Sequence, residues 1–466
     1  MSTPEVAPAA DVTAAAGNVV AGSVVEVLVG EAVHGGWCVG RLTAAGDGPV
    51  VFVRHALPGE LVKASVTQVT ARLLRAEVAE VLRPSADRVA PPCPYAGPGG
   101  CGGCDWQHAS LPAQRRLKGQ VVEQQLRRIA GLDAPVTVEA LPEPGSEPGQ
   151  ESGLGWRTKV RFAVGRAGEV GFYRHRSHVV VPVDRCAIAH PLVEGAGATG
   201  RLWPGAEYVE ISVAPVAGDV SVDVARRPAR RGPGIPGGRD AGSGPDGPIG
   251  RSRRDRPAGR LRFLTRRAAG RTWRVAPDGF WQVHPAAADV LAEAVLAALS
   301  VRPGETALDL YCGAGLFAGV LAGAVGPGGT VIGIEQDPAA VRDARANLRE
   351  SPWARIHRGD AADVLSRIGL GGAGVAVLDP PRAGVSRDLI TRLTGGESLR
   401  RIGYVSCDPA TLARDLREFG ERGWRLEGLR AFDAFPMTHH VELLASLAPA
   451  TRLAARSPQQ PPGGPG

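Results

Sequence analysis

Cys407 ends an apolar run in the stretch VSCDPATLARD, residues 405–415. The run predicts a buried strand, and the residues after it predict a turn and a helix. A thiol there has two interpretations. It is a small apolar side chain that fills the core, or it is a nucleophile at the carboxyl end of a strand, where open α/β sheets bind ligands. The stretch alone leaves both open.

Asp379 ends a second apolar run, AVLDPPRAG, and the two prolines after it stiffen the backbone. We expect its carboxyl to be held over the crevice at the edge of the sheet. Asp-Pro-Pro followed by an aromatic residue resembles amino-group methyltransferases, whose ring stacks on an adenine or cytosine. Arg382 follows here, so an exocyclic amine is disfavoured as the target. A thiol on the next strand suits attack on carbon.

A glycine loop follows another strand in LDLYCGAGLFA, where Gly313 and Gly315 let backbone amides approach a ligand at a helix N-terminus. Glu335 ends the next strand, twenty residues after Gly315, where a carboxylate accepts hydrogen bonds from ribose hydroxyls. The pattern predicts a nucleotide-like ligand. It does not choose between S-adenosylmethionine and a nicotinamide dinucleotide.

Three cysteines lie close together in CPYAGPGGCGGCDWQH, namely Cys93, Cys101 and Cys104. In a chain expected to be cytoplasmic, such a cluster predicts a metal site more than disulfides. Cys186 is the best candidate for a fourth ligand among the remaining cysteines. Four thiolates suit zinc and an iron–sulfur cluster equally well by spacing alone.

The elements that must position these residues fall into three regions. Residues 22–83 alternate apolar and polar side chains between glycine-marked turns, which predicts a small β-barrel. Residues 84–285 form a central α+β region that carries the cysteines over 93–186. From 286 to 446, strands and helices alternate, which predicts a doubly wound parallel sheet in an α/β fold.

The net charge of +7 has a local origin, because ten arginines and three aspartates of residues 226–260 account for all of it. This Gly/Pro/Arg-rich insertion is expected to be disordered, and it is either a basic arm for RNA phosphates or a solvated insertion. The termini, 1–21 and 447–466, are also expected to be disordered. No apolar run reaches the length of a membrane span, and the start has no basic signal region. We therefore expect a cytoplasmic protein with no membrane partner.

Together these stretches closely resemble the RNA uracil-5-methyltransferase family over roughly residues 22–446. The resemblance implies transfer of a methyl group from S-adenosylmethionine to carbon 5 of a uridine in RNA, with 23S rRNA favoured over tRNA. It implies that the barrel, with VVFVRHALPGE, is a TRAM domain, an OB-like module that binds RNA. It also implies a [4Fe-4S] cluster on Cys93, Cys101, Cys104 and Cys186, which favours iron–sulfur over zinc.

The resemblance also assigns site residues. SCDPATLARD matches the nucleophile signature, which makes Cys407 the nucleophile, and FPMTHHVELL matches the segment that supplies a glutamate base, Glu442. DGFWQVH implies that Phe280 lies near the target base. The expected cofactor-binding residues are Gln282, Tyr311, Gly313, Gly315, Glu335, Asp360 and Asp379. His439 and His440 are interpreted as structural residues.

The chemistry accounts for the thiol, because carbon 5 of uracil is a poor nucleophile. Addition of the Cys407 thiolate to carbon 6 turns the ring into an enolate, and a base such as Glu442 then removes the carbon-5 proton. The uracil must be unstacked to react.

Arg157, Lys159 and Arg161 alternate on one strand face in WRTKVRF, and they are candidates for phosphate contacts or a solvated face. Two rival functions remain: a non-catalytic RNA-binding iron–sulfur protein derived from such an enzyme, and a dinucleotide-dependent redox enzyme. We expect a monomer.

Overall fold

The computed structural model describes residues 19–42, 49–70, 72–143, 146–147, 149–226 and 262–450. The segments expected to be disordered lie outside these residues, except at their edges. Arg226 ends a strand and residues 447–449 belong to another, so at those positions the expectation of disorder was wrong. No helix within the described ranges is both long enough and apolar enough to cross a bilayer.

Five strands near the N-terminus close into a barrel, as the alternating pattern predicts. Most of the buried side chains of these strands are valine or alanine, which suits a narrow barrel interior. The order around the barrel is β1-β2-β3-β5-β4. The strands are β1 (Val24–Val33), β2 (Trp37–Leu42), β3 (Val50–Arg54), β4 (Leu61–Val69) and β5 (Leu73–Arg83).

The central region mixes short helices and antiparallel strands. Its elements are α1 (Leu111–Gln125) with a π-helical turn over Leu126–Ala130, β6 (Val138–Ala140), β7 (Lys159–Val164), β8 (Val170–Tyr173), β9 (Val180–Pro182), α2 (Pro191–Gly195), β10 (Ala206–Ala214), β11 (Asp219–Arg226), β12 (Leu264–Ala268) and β13 (Arg271–Val275). One five-stranded sheet has the order β11-β10-β7-β8-β9, and β12 pairs with β13.

The C-terminal region is the predicted doubly wound α/β fold. Its elements are α3 (Ala287–Leu299), β14 (Thr306–Leu310), α4 (Leu316–Val325), β15 (Thr330–Glu335), α5 (Pro338–Asn347), β16 (Ala354–Arg358), α6 (Ala361–Ile368), β17 (Val375–Leu378), α7 (Arg387–Thr394), β18 (Arg401–Ser406), α8 (Pro409–Gly420), β19 (Trp424–Asp433) and β20 (Glu442–Pro449). Strands β14 to β18 are parallel. Those inside the sheet are rich in apolar residues because helices cover both faces, whereas the edge strand β16 carries Arg355, His357 and Arg358.

Two features of this sheet were not predicted. Its order is β16-β15-β14-β17-β18-β20-β19-β6, and β20 runs antiparallel to both of its neighbours. The outer strand β6 comes from the central region and pairs in parallel with β19. Helix α1 also packs beside this edge of the sheet. Its buried Lys118 donates a hydrogen bond to Asp433, the last residue of β19, at 2.5 Å.

Candidate active site

Cys407 lies directly after β18, at the carboxyl edge of the sheet, and is half-buried. The helix α8 begins two residues later, because Asp408 is its N-cap and accepts a hydrogen bond from the Thr411 backbone at 2.8 Å. Pro409 fits the first helical position, where a proline loses no hydrogen bond. The strand–turn–helix pattern thus holds the sulfur at the mouth of the crevice.

Glu442 opposes Cys407 across two antiparallel strands. In the pairing of β18 with β20, Ser406 faces Leu443, so the next pair along the register is Cys407 and Glu442. Asp379 follows β17, the other neighbour of β18. Three separate segments therefore bring a thiol and two carboxyls to one point.

The electrostatics of this point are dominated by burial. Burial, followed by the charges of Glu442 and Asp379, raises the pKa of the Cys407 thiol to about 11. Burial also raises the pKa of Asp379 to about 7. The pKa of Glu442, only 4% exposed, lies well above its usual range because of burial and the nearby Asp379 charge. Carboxyls with raised pKa values are strong bases once ionised.

Arg382 is the counter-charge at this point, whereas in the sequence it only disfavoured an exocyclic amine as the target. Its charge lowers the pKa values of both Cys407 and Glu442 against the effect of burial. Its Nη2 also lies 3.3 Å from the His440 ring. The position directly after Asp-Pro-Pro was the available signal, because the same turn that fixes Asp379 fixes this arginine.

The glycine loop is built as predicted between β14 and α4. Glu335 accepts from the Gly313 backbone at 3.0 Å, and Gly315 adopts a left-handed φ of 92° to begin the helix. Asp309, fully buried, accepts from the Ala318 backbone at 2.6 Å, while its Oδ1 has no partner among the described residues. These carboxyls and backbone groups lie at the carboxyl edge of the sheet, near Asp379. Burial and the Asp379 charge raise the pKa of Asp309.

Tyr311 and Asp360 lie close to each other at the same carboxyl edge of the sheet. Tyr311 has a positive φ of 67°, a backbone conformation that non-glycine residues avoid and that clusters at functional sites. Burial and the charge of Asp360 raise the pKa of its hydroxyl to about 12. Asp360 itself is the N-cap of α6 and accepts from the Ala362 backbone at 2.9 Å.

Gln282 and Phe280 lie on the loop that joins β13 to α3. The backbone and hydroxyl of Thr158 both donate to the Val283 carbonyl at 2.9 Å, and Lys159 Nζ donates to the Gly279 carbonyl at 3.0 Å. Gln282 is buried, whereas Phe280 is 66% exposed. The loop is therefore fixed at both ends and presents an aromatic ring to solvent.

The basic strand face of β7 has partners within the protein. Arg161 donates to Glu210 at 2.7 and 2.9 Å, and the Lys159 ammonium lies 3.6 Å from the same carboxylate. The Arg157 guanidinium donates to the Lys159 carbonyl, and its charge lowers the pKa of Cys186. These three side chains thus brace the loop and the cysteine region.

All four expected metal ligands line one cavity, with Tyr95, Phe172 and other mostly apolar neighbours. Burial raises the pKa values of Cys101, Cys104 and Cys186, the last to about 11. Yet within the part of the chain that the structure describes, no three His, Cys, Asp or Glu side chains have the arrangement of a metal site. The cysteines share a cavity but their side-chain positions do not by themselves show a cluster.

Comparisons with known proteins agree with this architecture. The TRAM domain family matches residues 19–79, and the tRNA (Uracil-5-)-methyltransferase family matches residues 372–448, which contain Asp379, Cys407 and Glu442. The protein-L-isoaspartate(D-aspartate) O-methyltransferase family matches residues 260–380, around the glycine loop.

Whole-chain relatives extend the match. A protein of Streptomyces avermitilis named an uncharacterized RNA methyltransferase is 47% identical over 438 residues, which cover 92% of this chain and 98% of the relative. A Streptomyces coelicolor protein with the same description is 48% identical, covering 92% and 93%. The Pyrococcus abyssi tRNA (uracil-54, C5)-methyltransferase, solved with S-adenosyl-L-homocysteine, has a TM-score of 0.63 at 22% identity and covers 91% of this chain and 99% of that one. That likeness shows a shared fold. The chain belongs to the RNA methyltransferase family, in which it combines an N-terminal TRAM domain with a C-terminal tRNA (uracil-5-)-methyltransferase domain.

Proposed function

We propose that this RNA methyltransferase methylates carbon 5 of a uridine through a covalent adduct with Cys407. The observation that carries the proposal is the strand register that sets Cys407 opposite Glu442, beside Asp379 and Arg382. A nucleophile and a base on opposite strands can act on neighbouring atoms of one ring. Carbon 5 and carbon 6 of uracil are such neighbours.

In this mechanism the Cys407 thiolate adds to carbon 6, and the double-bond electrons move to the ring oxygen as an enolate. When bound, S-adenosylmethionine would supply an electrophilic methyl group; carbon 5 would form the new bond to that methyl carbon while the methyl–sulfur bond breaks and leaves a neutral thioether. Glu442 then accepts the carbon-5 proton, the sulfur–carbon bond breaks, and the thiolate is restored. Arg382 favours the ionised forms of both side chains, because its positive charge opposes the effect of burial on each pKa.

The glycine loop suits S-adenosylmethionine. The space that a side chain on Gly313 would fill is open, and the neighbouring Glu335 carboxylate lies at the strand end where ribose hydroxyls bind. The unpartnered Oδ1 of buried Asp309 is a further polar atom at the same loop. Tyr311, Asp360, Gln282 and Asp379 would complete the contacts with the cofactor.

The RNA would approach across the barrel. Three arginines, Arg54, Arg75 and Arg176, surround the Trp37 ring at 5.7 to 5.9 Å. Burial, followed by the charges of Arg75 and Arg54, lowers the pKa of Arg176. No ion pair within the described ranges joins Arg75 or Arg176 to a carboxylate. Arg54 is buried and paired with Asp105, so Arg75 and Arg176 are the two arginines of this group suited to RNA phosphates. We propose 23S rRNA as the substrate in preference to tRNA.

We also propose that the four cysteines hold a [4Fe-4S] cluster. The support is chemical: four thiols, and only thiols among the strong ligands, line one mostly apolar cavity, which is the donor set of such clusters. The charge of Arg157 favours thiolate forms at Cys101 and Cys186. Iron and sulfide analysis of protein purified without oxygen tests this, with Cys93→Ser expected to lose both; zinc in their place would refute it.

Mapping by nucleoside mass spectrometry tests the proposed reaction. Ribosomal and transfer RNA from a deletion strain should lack one 5-methyluridine, and purified protein with S-adenosylmethionine should restore it. A restored methyl group on any other base would refute the proposal. If the deletion strain lost no 5-methyluridine, although the wild-type protein carries Cys407, the non-catalytic RNA-binding alternative would be favoured. Release of a nicotinamide from purified protein would favour the redox enzyme.

A further inference from the structure

A chain of side-chain contacts connects the cysteine motif to Arg382, whose charge acts on Cys407. It begins at Asp105, which directly follows Cys104 and is 6% exposed. Its Oδ2 accepts from the backbone and the ring Nδ1 of His439, at 3.2 and 2.6 Å. Its Oδ1 accepts from Arg54 of the barrel at 2.7 Å. One carboxylate therefore ties the barrel, the cysteine motif and the loop before β20 together.

The next contact is between two histidines. The ring of His439 packs against the ring of His440, with centroids 4.1 Å apart. Burial, with the charges of His439 and Arg382, lowers the pKa of His440 to about 3. His440 is therefore neutral at physiological pH, and a neutral ring can accept a hydrogen bond from Arg382.

The last link is electrostatic, from Arg382 to the Cys407 sulfur. Arg382 is exposed, its Nη2 lies 3.3 Å from the His440 ring, and its positive charge lowers the pKa of the Cys407 thiol. Ordering a side chain costs conformational entropy. An exposed arginine therefore stays near a neighbouring thiol only when its other contacts restrict its movement.

From these contacts we infer that Asp105 is a positioning residue for the reaction. It orients His439 and His440, which hold Arg382 near Cys407. The inference rests on the proposed function for its role in catalysis, but the sulfur's reactivity can be measured apart from methyl transfer. The cysteine region then has a role at the active site, because the backbone amides of Asp105 and Trp106 both donate to the Met437 carbonyl at 3.1 Å and so fix the loop that carries both histidines.

The test is the rate at which iodoacetamide alkylates Cys407 in the full-length protein, followed by peptide mass spectrometry from pH 6 to 10. Asp105→Asn keeps the volume and removes the charge. It should raise the apparent pKa of Cys407 by about one unit, which slows alkylation about tenfold at a fixed pH below that pKa. Glu442, Asp379 and Arg382 face the sulfur and are unchanged in this variant. Asp87→Asn, an ion-paired aspartate of the same region, is the matched control and should change nothing.

A double-mutant cycle identifies the route. If Asp105 acts through Arg382, Asp105→Asn combined with Arg382→Gln should alkylate no more slowly than Arg382→Gln alone. If the two substitutions slow alkylation independently, so that their effects multiply in the double variant, the inference is overturned. An unchanged alkylation rate in Asp105→Asn would also overturn it. Should that variant fail to fold, His439→Phe keeps the ring contact without the hydrogen bond and should show the same slowing, with His439→Asn restoring most of the rate. A wild-type protein that methylates no uridine would refute the proposed function and leave this result standing.

Discussion

The Nε2 atom of His34 lies 3.4 Å from Oδ2 of Asp408, the residue that follows the proposed nucleophile. His34 belongs to the turn between β1 and β2, so the barrel reaches the helix cap beside Cys407. Because a partly exposed pair contributes up to about 1 kcal/mol, His34→Ala should lower kcat/KM for RNA by about two- to fivefold. Affinity for S-adenosylmethionine, measured by calorimetry, should stay unchanged. An equal loss in cofactor affinity would contradict a role confined to RNA.

Replacement of the nucleophile separates chemistry from binding. Cys407→Ala should reduce methylation to background, because no other thiol among the described residues lies at this point of the crevice, while cofactor affinity changes less than twofold. Cys38→Ala, a change at a thiol buried in the barrel, should keep most of the activity. Transfer of tritiated methyl groups to RNA measures the activity of both variants. Retained methylation in Cys407→Ala would exclude the covalent route.

The base should be revealed by a trapped intermediate. In Glu442→Gln the adduct can form and be methylated, but the carbon-5 proton has no acceptor, so turnover should fall by about a hundredfold or more. A protein–RNA band that survives denaturing electrophoresis should accumulate. The control variant Glu427→Gln, at an exposed position of β19, should give no such band if the effect is specific to the candidate site. Fast turnover without a band would assign the base elsewhere.

The charge on Asp379 should hold the thiol in its protonated form. Because that carboxylate raises the pKa of Cys407, Asp379→Asn should lower the thiol pKa and speed alkylation at pH 8. Arg382→Gln should do the opposite. In the wild type, Asp379 ionises near pH 7, and Cys407 and Glu442 must ionise to react, so kcat/KM should rise with pH from 6 to 9. A rate that falls over this range would reverse the assigned proton states.

The basic group around Trp37 should be visible in the salt dependence of RNA binding. Removing both Arg75 and Arg176 as Arg→Gln should weaken RNA affinity about tenfold and reduce the slope of log K against log salt by about one to two. Arg201→Gln, which removes an arginine stacked on Trp203 instead, is the control. Fluorescence anisotropy with a labelled rRNA fragment measures both. An unchanged slope would show that the phosphates bind elsewhere.

The sequence was informative wherever the signal is local. The alternation of apolar runs and helical patterns over 286–446 predicted the doubly wound parallel sheet, since both periodicities are properties of short segments. The family resemblance named Cys407 and Glu442, but their meeting depends on a register between strands β18 and β20, which no single segment encodes.

Partners across the fold were not predictable in the same way. The interpretation of His439 and His440 as structural omitted their contacts with Asp105, which lies more than 300 residues earlier, and with Arg382. Alternation on β7 made Lys159 and Arg161 candidates for phosphate contacts or a solvated face, but it could not reveal their carboxylate partner Glu210, which lies on β10. Burial and charge at these positions are set by elements distant in the chain.

The outer strand β6 has a consequence for biosynthesis. Val138 pairs with Ala431, about 290 residues later in the chain, and Lys118 pairs with Asp433 over a similar span. At translation rates of roughly 5–20 residues per second, these groups emerge from the ribosome roughly 15–60 s before their partners exist. The edge of the catalytic sheet is therefore completed last, and a fragment that starts at residue 286 would leave β19 with an unpaired edge that invites aggregation.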